Sequence, residues 1–122
     1  MKNNSNGWKV LIKANRQSIS NHAYSNLMAI IYPINQKMQA KNNSKLFYFK
    51  NKEDADSFVC YDEIVVPCIV ENGRKAKESD ICRCLHMNEY FWKLPPDERL
   101  DTGLTRIPPK GTWVADSITC LE

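Results

Sequence analysis

The densest concentration of chemically capable side chains in the sequence is Cys82-Arg83-Cys84-Leu85-His86. On an extended strand, side chains two residues apart share a face, so Cys82, Cys84 and His86 would stand in line about 6 to 7 Å from one another. A structural zinc needs four thiolate or imidazole ligands at about 2.0 to 2.3 Å, ordinarily supplied by two closely spaced ligand pairs. The chain has no Cys-x-x-Cys and no His-x-x-x-His pair. The block therefore reads as two small core thiols and a hydrogen-bonded imidazole, with Cys82, Cys84 and His86 kept as the metal-ligand candidates. A thiolate beside an imidazolium is also a nucleophile, yet His22 and His86 are the two histidines available, and neither sits in a recognisable catalytic context. No catalytic residue and no cofactor is assigned.

A second cluster is aromatic. Tyr90-Phe91-Trp92 places three rings in succession, which a short helix cannot bury on one side, so at least one ring faces a groove, a partner or the segment after Pro95. Folding of the proline-bearing segment over the rings is the favoured arrangement. If a partner is used instead, Trp92 is its anchor, because indole rings dominate interface energetics. Lys37 and Lys41, in the polar and basic stretch from Gln36 to Ser44, complete the candidate partner-binding set with Tyr90, Phe91 and Trp92.

Other chemistries are excluded by spacing. Gly7, Gly73, Gly103 and Gly111 are isolated from one another, so no glycine-rich phosphate cradle can form. The acidic pairs Asp62-Glu63 and Asp97-Glu98 are adjacent in sequence, and adjacent side chains diverge on a helix or a strand, so neither presents two carboxylates to one bond. Residues 1–44 hold six basic residues and no acidic one, whereas the whole chain has 17 Lys+Arg against 14 Asp+Glu. Such a basic end could draw phosphate backbones weakly and non-specifically, but no Lys/Arg-rich run accompanies it, and the lysines read as solvated. Five cysteines, an odd number, together with a polar start that lacks the apolar segment of a secretory signal, point to free thiols in a reducing cytoplasm. No apolar run approaches the roughly 18 residues of a membrane span.

The elements that would position these groups follow from periodicity. Met1–Gly7 is polar and reads as a disordered head, and residues 8–122 form one domain, as expected for 122 residues. Trp8–Ala14 alternates as a strand with Lys9 and Lys13 on its solvent side. Leu27–Ile34 is apolar on both faces and suits a central strand, Gln36–Ser44 a mobile excursion, and Leu46–Phe49 a short aromatic strand. Asn51 can cap a helix that carries Glu53 and Asp54 in its first turn and turns Ala55, Phe58 and Val59 to one side. Glu63–Val70 is a strongly apolar strand closed by a turn at Asn72-Gly73. Asn88 begins a second short helix stopped by Pro95-Pro96, with one further helical turn available at Pro96–Leu100, and Gly111–Leu121 is a terminal strand inside the sheet. Runs of strands without strict βαβ alternation predict an α+β fold, with a curved, mainly antiparallel sheet and two short helices on one side.

Two passages, Leu46–Phe58 with the strand after it and Pro108–Glu122, resemble small uncharacterised proteins of phages, prophages and related mobile elements. The resemblance implies an accessory protein of a bacterial or phage cytoplasm and brings no activity with it. The order of aromatic strand, helix and apolar strand is also similar in shape to the middle of ADP-ribosyltransferase-like domains. The Ser-Thr-Ser strand and late Glu that such enzymes use have no counterpart here. The expectation is a non-catalytic module that binds a host or phage protein, with ADP-ribosyl or other group transfer and weak nucleic-acid binding as alternatives.

Overall fold

The structure, a computed structural model, describes residues 3–18, 30–40, 44–81 and 88–122, the last stretch without the side chains of 88–90. Strand β1 (Asn4–Ile12) pairs antiparallel along its whole length with Glu63–Glu71. Further strands are β2 (Lys37–Gln39), β3 (Leu46–Phe49), β4 (Glu63–Glu71), β5 (Arg74–Lys75), β6 (Thr112–Ala115) and β7 (Ser117–Cys120). They form one seven-stranded sheet in the order β2-β7-β4-β1-β3-β6-β5, with every pairing antiparallel. Helices α1 (Lys52–Phe58), α2 (Asn88–Lys93) and α3 (Pro96–Asp101) and a 3-10 turn at Glu78–Asp80 complete the described chain. The α+β class and the curved antiparallel sheet are as expected, and the turn foreseen after Pro95 becomes a third short helix.

Curvature is imposed at Asp116. It alone separates β6 from β7, yet β6 pairs with β3 and β7 with β4, on opposite sides of β1. The expected terminal strand is thus two strands joined at a bend, and the sheet must turn around itself there, as sheets do where a strand switches partners at a corner. The inner face so formed carries the largest core, with Leu11, Tyr32, Tyr48, Val66, Cys68, Val70, Ile118 and Cys120 all buried. The outer face is covered in two places. Helix α1 lays Ala55 on Val10 and Phe49, and α2 sets Phe91 and Trp92 against Phe47 and Val114, so the helices share one side of the sheet.

Local chemistry explains the elements. Helix α1 starts after Asn51, whose extended backbone begins the helix although its side chain makes no capping bond; Glu53 and Asp54 face the positive end of the helix instead. Gly111 adopts φ +81°, and a side chain there would meet the Asp54 carboxylate, with a Cβ 2.3 Å from its oxygen. The short β5 and the 3-10 turn are held by Arg74, which donates to both Asp80 carboxylate oxygens at 2.8 Å, while Lys77 N–H donates to one of them, also at 2.8 Å.

Four expectations are corrected. Asn4–Gly7 belongs to β1 and is not a disordered head, because Gly7 lets the Tyr48 ring lie against the strand: a Cβ there would stand 2.4 Å from that ring. Within the described part of Gln36–Ser44, Lys37–Gln39 forms β2 in place of a mobile excursion. Within the described part of Leu27–Ile34, the ladder is reduced to an isolated bridge between Ile31 and Gln17, with the chain turning at Asn35, φ 62°. Lys9 is not on a solvent side; it shares the inner face with Leu11 and is buried.

Candidate functional site: the uncovered part of the outer sheet face

Antiparallel register sorts the outer face into rows. Asn6, Ile69, Thr119 and Lys37 stand opposite one another across β1, β4, β7 and β2. The next row is Asn4, Glu71, Ser117 and Gln39. Neither row belongs to the cores beneath α1 or α2, and among the described residues no helix covers them. Ile69, on β4 between β7 and β1, is consequently 37% exposed on a face that an antiparallel sheet can leave to solvent. Around it, Asn4, Asn6, Gln39 and Lys37 are exposed, supplying amide donors and acceptors and one ammonium group.

At the Gln39 end of these rows the face runs into a cleft of about 350 Å³ lined by Gln39, Ser44, Lys45, Glu71, Asn72 and Asp116, among others. Its charges are paired across elements. Lys45 bonds Asp116, Asn72 Nδ2 donates to the other Asp116 oxygen at 2.9 Å, and Glu71 takes the Lys37 ammonium at 2.5 Å and the Ser117 hydroxyl. The hydrogen bond from Lys45, helped by Asn72, holds the Asp116 carboxyl below its ordinary range. These groups give a polar, shape-defined rim with opposite charges side by side. Such a rim can orient a polar surface laid across it through hydrogen bonds.

The inner face holds a second chemically distinctive group. Lys9 is 2% exposed, donates to the Phe47 carbonyl and stands 4.9 Å from the centre of the Tyr32 ring. Burial lowers its pKa to about 8, against the opposing influence of Cys120 and Cys68. Burial likewise pushes the Cys68 thiol up to about 12 and raises Cys120. The clue to this placement in the sequence is Leu11, an apolar residue lying between two lysines on the face that Lys9 occupies.

Of the expected partner-binding residues, Lys37 lies in the exposed row. Phe91 and Trp92 do not serve as an exposed anchor. They are 0% and 1% exposed, edge to face at 4.7 Å, and α3 folds back so that Arg99 covers them, its guanidinium 5.0 Å from the Trp92 ring and 5.7 Å from Phe91. Arg99 itself donates to the carbonyls of Leu94 at 2.9 Å, Trp92 at 3.1 Å and Ser79 at 3.4 Å, which makes the proline-bearing segment a lid on the rings. Lys41, the side chain of Tyr90, and Cys82, Cys84 and His86 lie outside the described residues. Among the described residues the basic side chains of the first part of the chain do not gather: Lys9 is buried, Arg16 donates to the carbonyls of Tyr32 and Glu122, Lys37 pairs with Glu71, and exposed Lys13 lies beside Tyr61 and Asp62. Among the described residues no group of three His, Cys, Asp or Glu could hold a metal ion, and no helix is long and apolar enough to cross a membrane.

No family model, curated protein or solved structure matches the chain.

Proposed function

We propose that the chain is a non-catalytic protein-binding module whose contact surface is the uncovered outer face of β2, β7, β4 and the start of β1. The observation that carries this reading is Ile69, an exposed aliphatic residue on β4 with β1 and β7 on either side, surrounded on the outer face by amides, a threonine and Lys37. An apolar centre within a polar rim is the anatomy of a protein contact surface, and the rigid sheet presents it at little ordering cost. The partner is a folded protein surface with a small apolar spot flanked by hydrogen-bonding groups. Its setting in this reading is the cytoplasm of a bacterium or phage-infected cell, in keeping with free thiols at Cys60, Cys68 and Cys120.

Photo-crosslinking tests the surface. A benzoylphenylalanine placed at Thr119 should crosslink a protein in extracts of the native host, and Ile69→Arg in the same chain should remove that product without lowering the melting midpoint, because a substitution at an exposed site away from caps and cores changes stability by about 0.5 kcal/mol or less. Equal crosslinking from a probe at Asp97, in α3 beside the covered part of the sheet, or persistence of the product with Ile69→Arg, would remove this face from consideration.

A further inference from the structure

We infer that Cys68 and Cys120 are a latent cross-strand disulfide pair, closed by a low-molecular-weight disulfide oxidant to tie β4 covalently to β7. The two residues are register partners. Leu121 N–H donates to the Pro67 carbonyl at 2.9 Å, so the neighbouring Pro67 position is a hydrogen-bonded one. The alternation of an antiparallel ladder then makes Cys68 and Cys120 a non-hydrogen-bonded pair, whose Cα atoms stand about 4.5 Å apart. That lies inside the span of about 4.4 to 6.8 Å that a disulfide bridges. Both side chains project to the inner face and are buried, 1% and 0% exposed, so they are held toward each other without competing solvent.

Access is built into the same ladder. Cys120 is the last residue of β7, Leu121 beyond it is exposed, and Pro67 has no N–H to return a bond to the Leu121 carbonyl. The pairing of β7 with β4 is therefore weakest beside Cys120, and opening there presents this thiol first. The buried Lys9 ammonium favours the thiolate form of both residues, opposing the effect of burial. The Cys120 thiolate attacks one sulfur of the oxidant, forming a mixed disulfide and expelling one thiolate. The Cys68 thiolate then attacks the Cys120 sulfur and expels the second. The protein loses two electrons and two protons, the oxidant gains both pairs as two free thiols, and the product is one Cys68–Cys120 bond.

The inference is independent of the proposed partner, although the bond would brace from below the strands that carry Ile69 and Thr119. The test uses the full chain with Cys60→Ser, which removes the exposed thiol among the described residues, incubated folded with oxidised glutathione. A non-reduced tryptic map should show the peptides 53–74 and 111–122 joined, with two glutathiones released per bond, and the melting midpoint should rise and fall back on reduction. Glutathione adducts on Cys68 or Cys120 without the link, a link to Cys82 or Cys84, or unmodified protein would each overturn the inference. Cys120→Ser in the same background should lose the linked peptide, and the map of the parent decides the matter even if that variant fails to fold.

Discussion

Replacing Lys9 with Met removes a buried charge while keeping most of the side-chain length, and its effect depends on pH in a calculable way. Lys9 falls from an ordinary 10.5 to about 8 in the fold through burial. Each unit corresponds to about 1.4 kcal/mol, so burying the ammonium in place of the amine costs roughly 3 kcal/mol. Because the folded pKa is the lower one, the unfolded chain holds more protons between pH 8 and 10.5, and this contribution to stability rises with pH across that window. Below pH 8 the full penalty applies. Lys9→Met escapes it but forfeits the hydrogen bond to the Phe47 carbonyl, worth about 1 kcal/mol, so it should be more stable than wild type by about 2 kcal/mol at pH 7. Near pH 10.5 the advantage should vanish or reverse by about 1 kcal/mol. Cys68, pushed up to about 12, stays neutral in the fold across this range, burial raises Cys120 as well, and ionisation of both thiols in the unfolded chain is common to the two proteins, so it cancels in the difference. Urea titrations of the two proteins at pH 7, 8, 9 and 10 measure that difference directly. A difference that does not change with pH, or one that grows toward pH 10, would show that Lys9 is not buried as a charge and would refute the reasoning.

Two further outcomes follow from the core. Trp92→Ala should destabilise by about 3 to 5 kcal/mol, visible as a large drop in the melting midpoint, because the ring is 1% exposed and lies between Phe47, Val114 and Arg99; an unchanged midpoint would return Trp92 to the surface. Gly7→Ala should cost about 1 to 3 kcal/mol by overpacking, since its Cβ would stand 2.4 Å from the Tyr48 ring, and combining it with Tyr48→Leu should recover part of that loss; a neutral single variant would argue that residues 4–7 are not in β1.

Much of the framework was legible. Leu46–Phe49 and Glu63–Glu71 are strands because β-branched and aromatic residues run between turn formers, and α1 follows from acidic residues in a first turn ahead of apolar residues at helical spacing. Pro95-Pro96 marked the boundary where α2 gives way to α3. These are local signals, carried by backbone restriction, propensity and charge near a helix end, so neighbouring residues suffice to read them.

The polar start of the chain, the buried lysine and the covered rings depend on groups distant in sequence. Asn4 and Asn6 are polar because, among the described residues, no helix reaches their part of the outer face, not because they lack a strand; that becomes visible once β1 is paired with β4. Lys9 is buried because Tyr32 and the Phe47 carbonyl arrive from other elements to receive its ammonium. Trp92 is hidden because Arg99 closes over it. Which residues meet Ile69 on the open face, and which cysteine meets Cys68, follows from the order of strands around the bend at Asp116. Periodicity assigns a side chain to one face or the other, but which face lies inside, and what stands opposite, is set by long-range pairing that no window of neighbouring residues encodes.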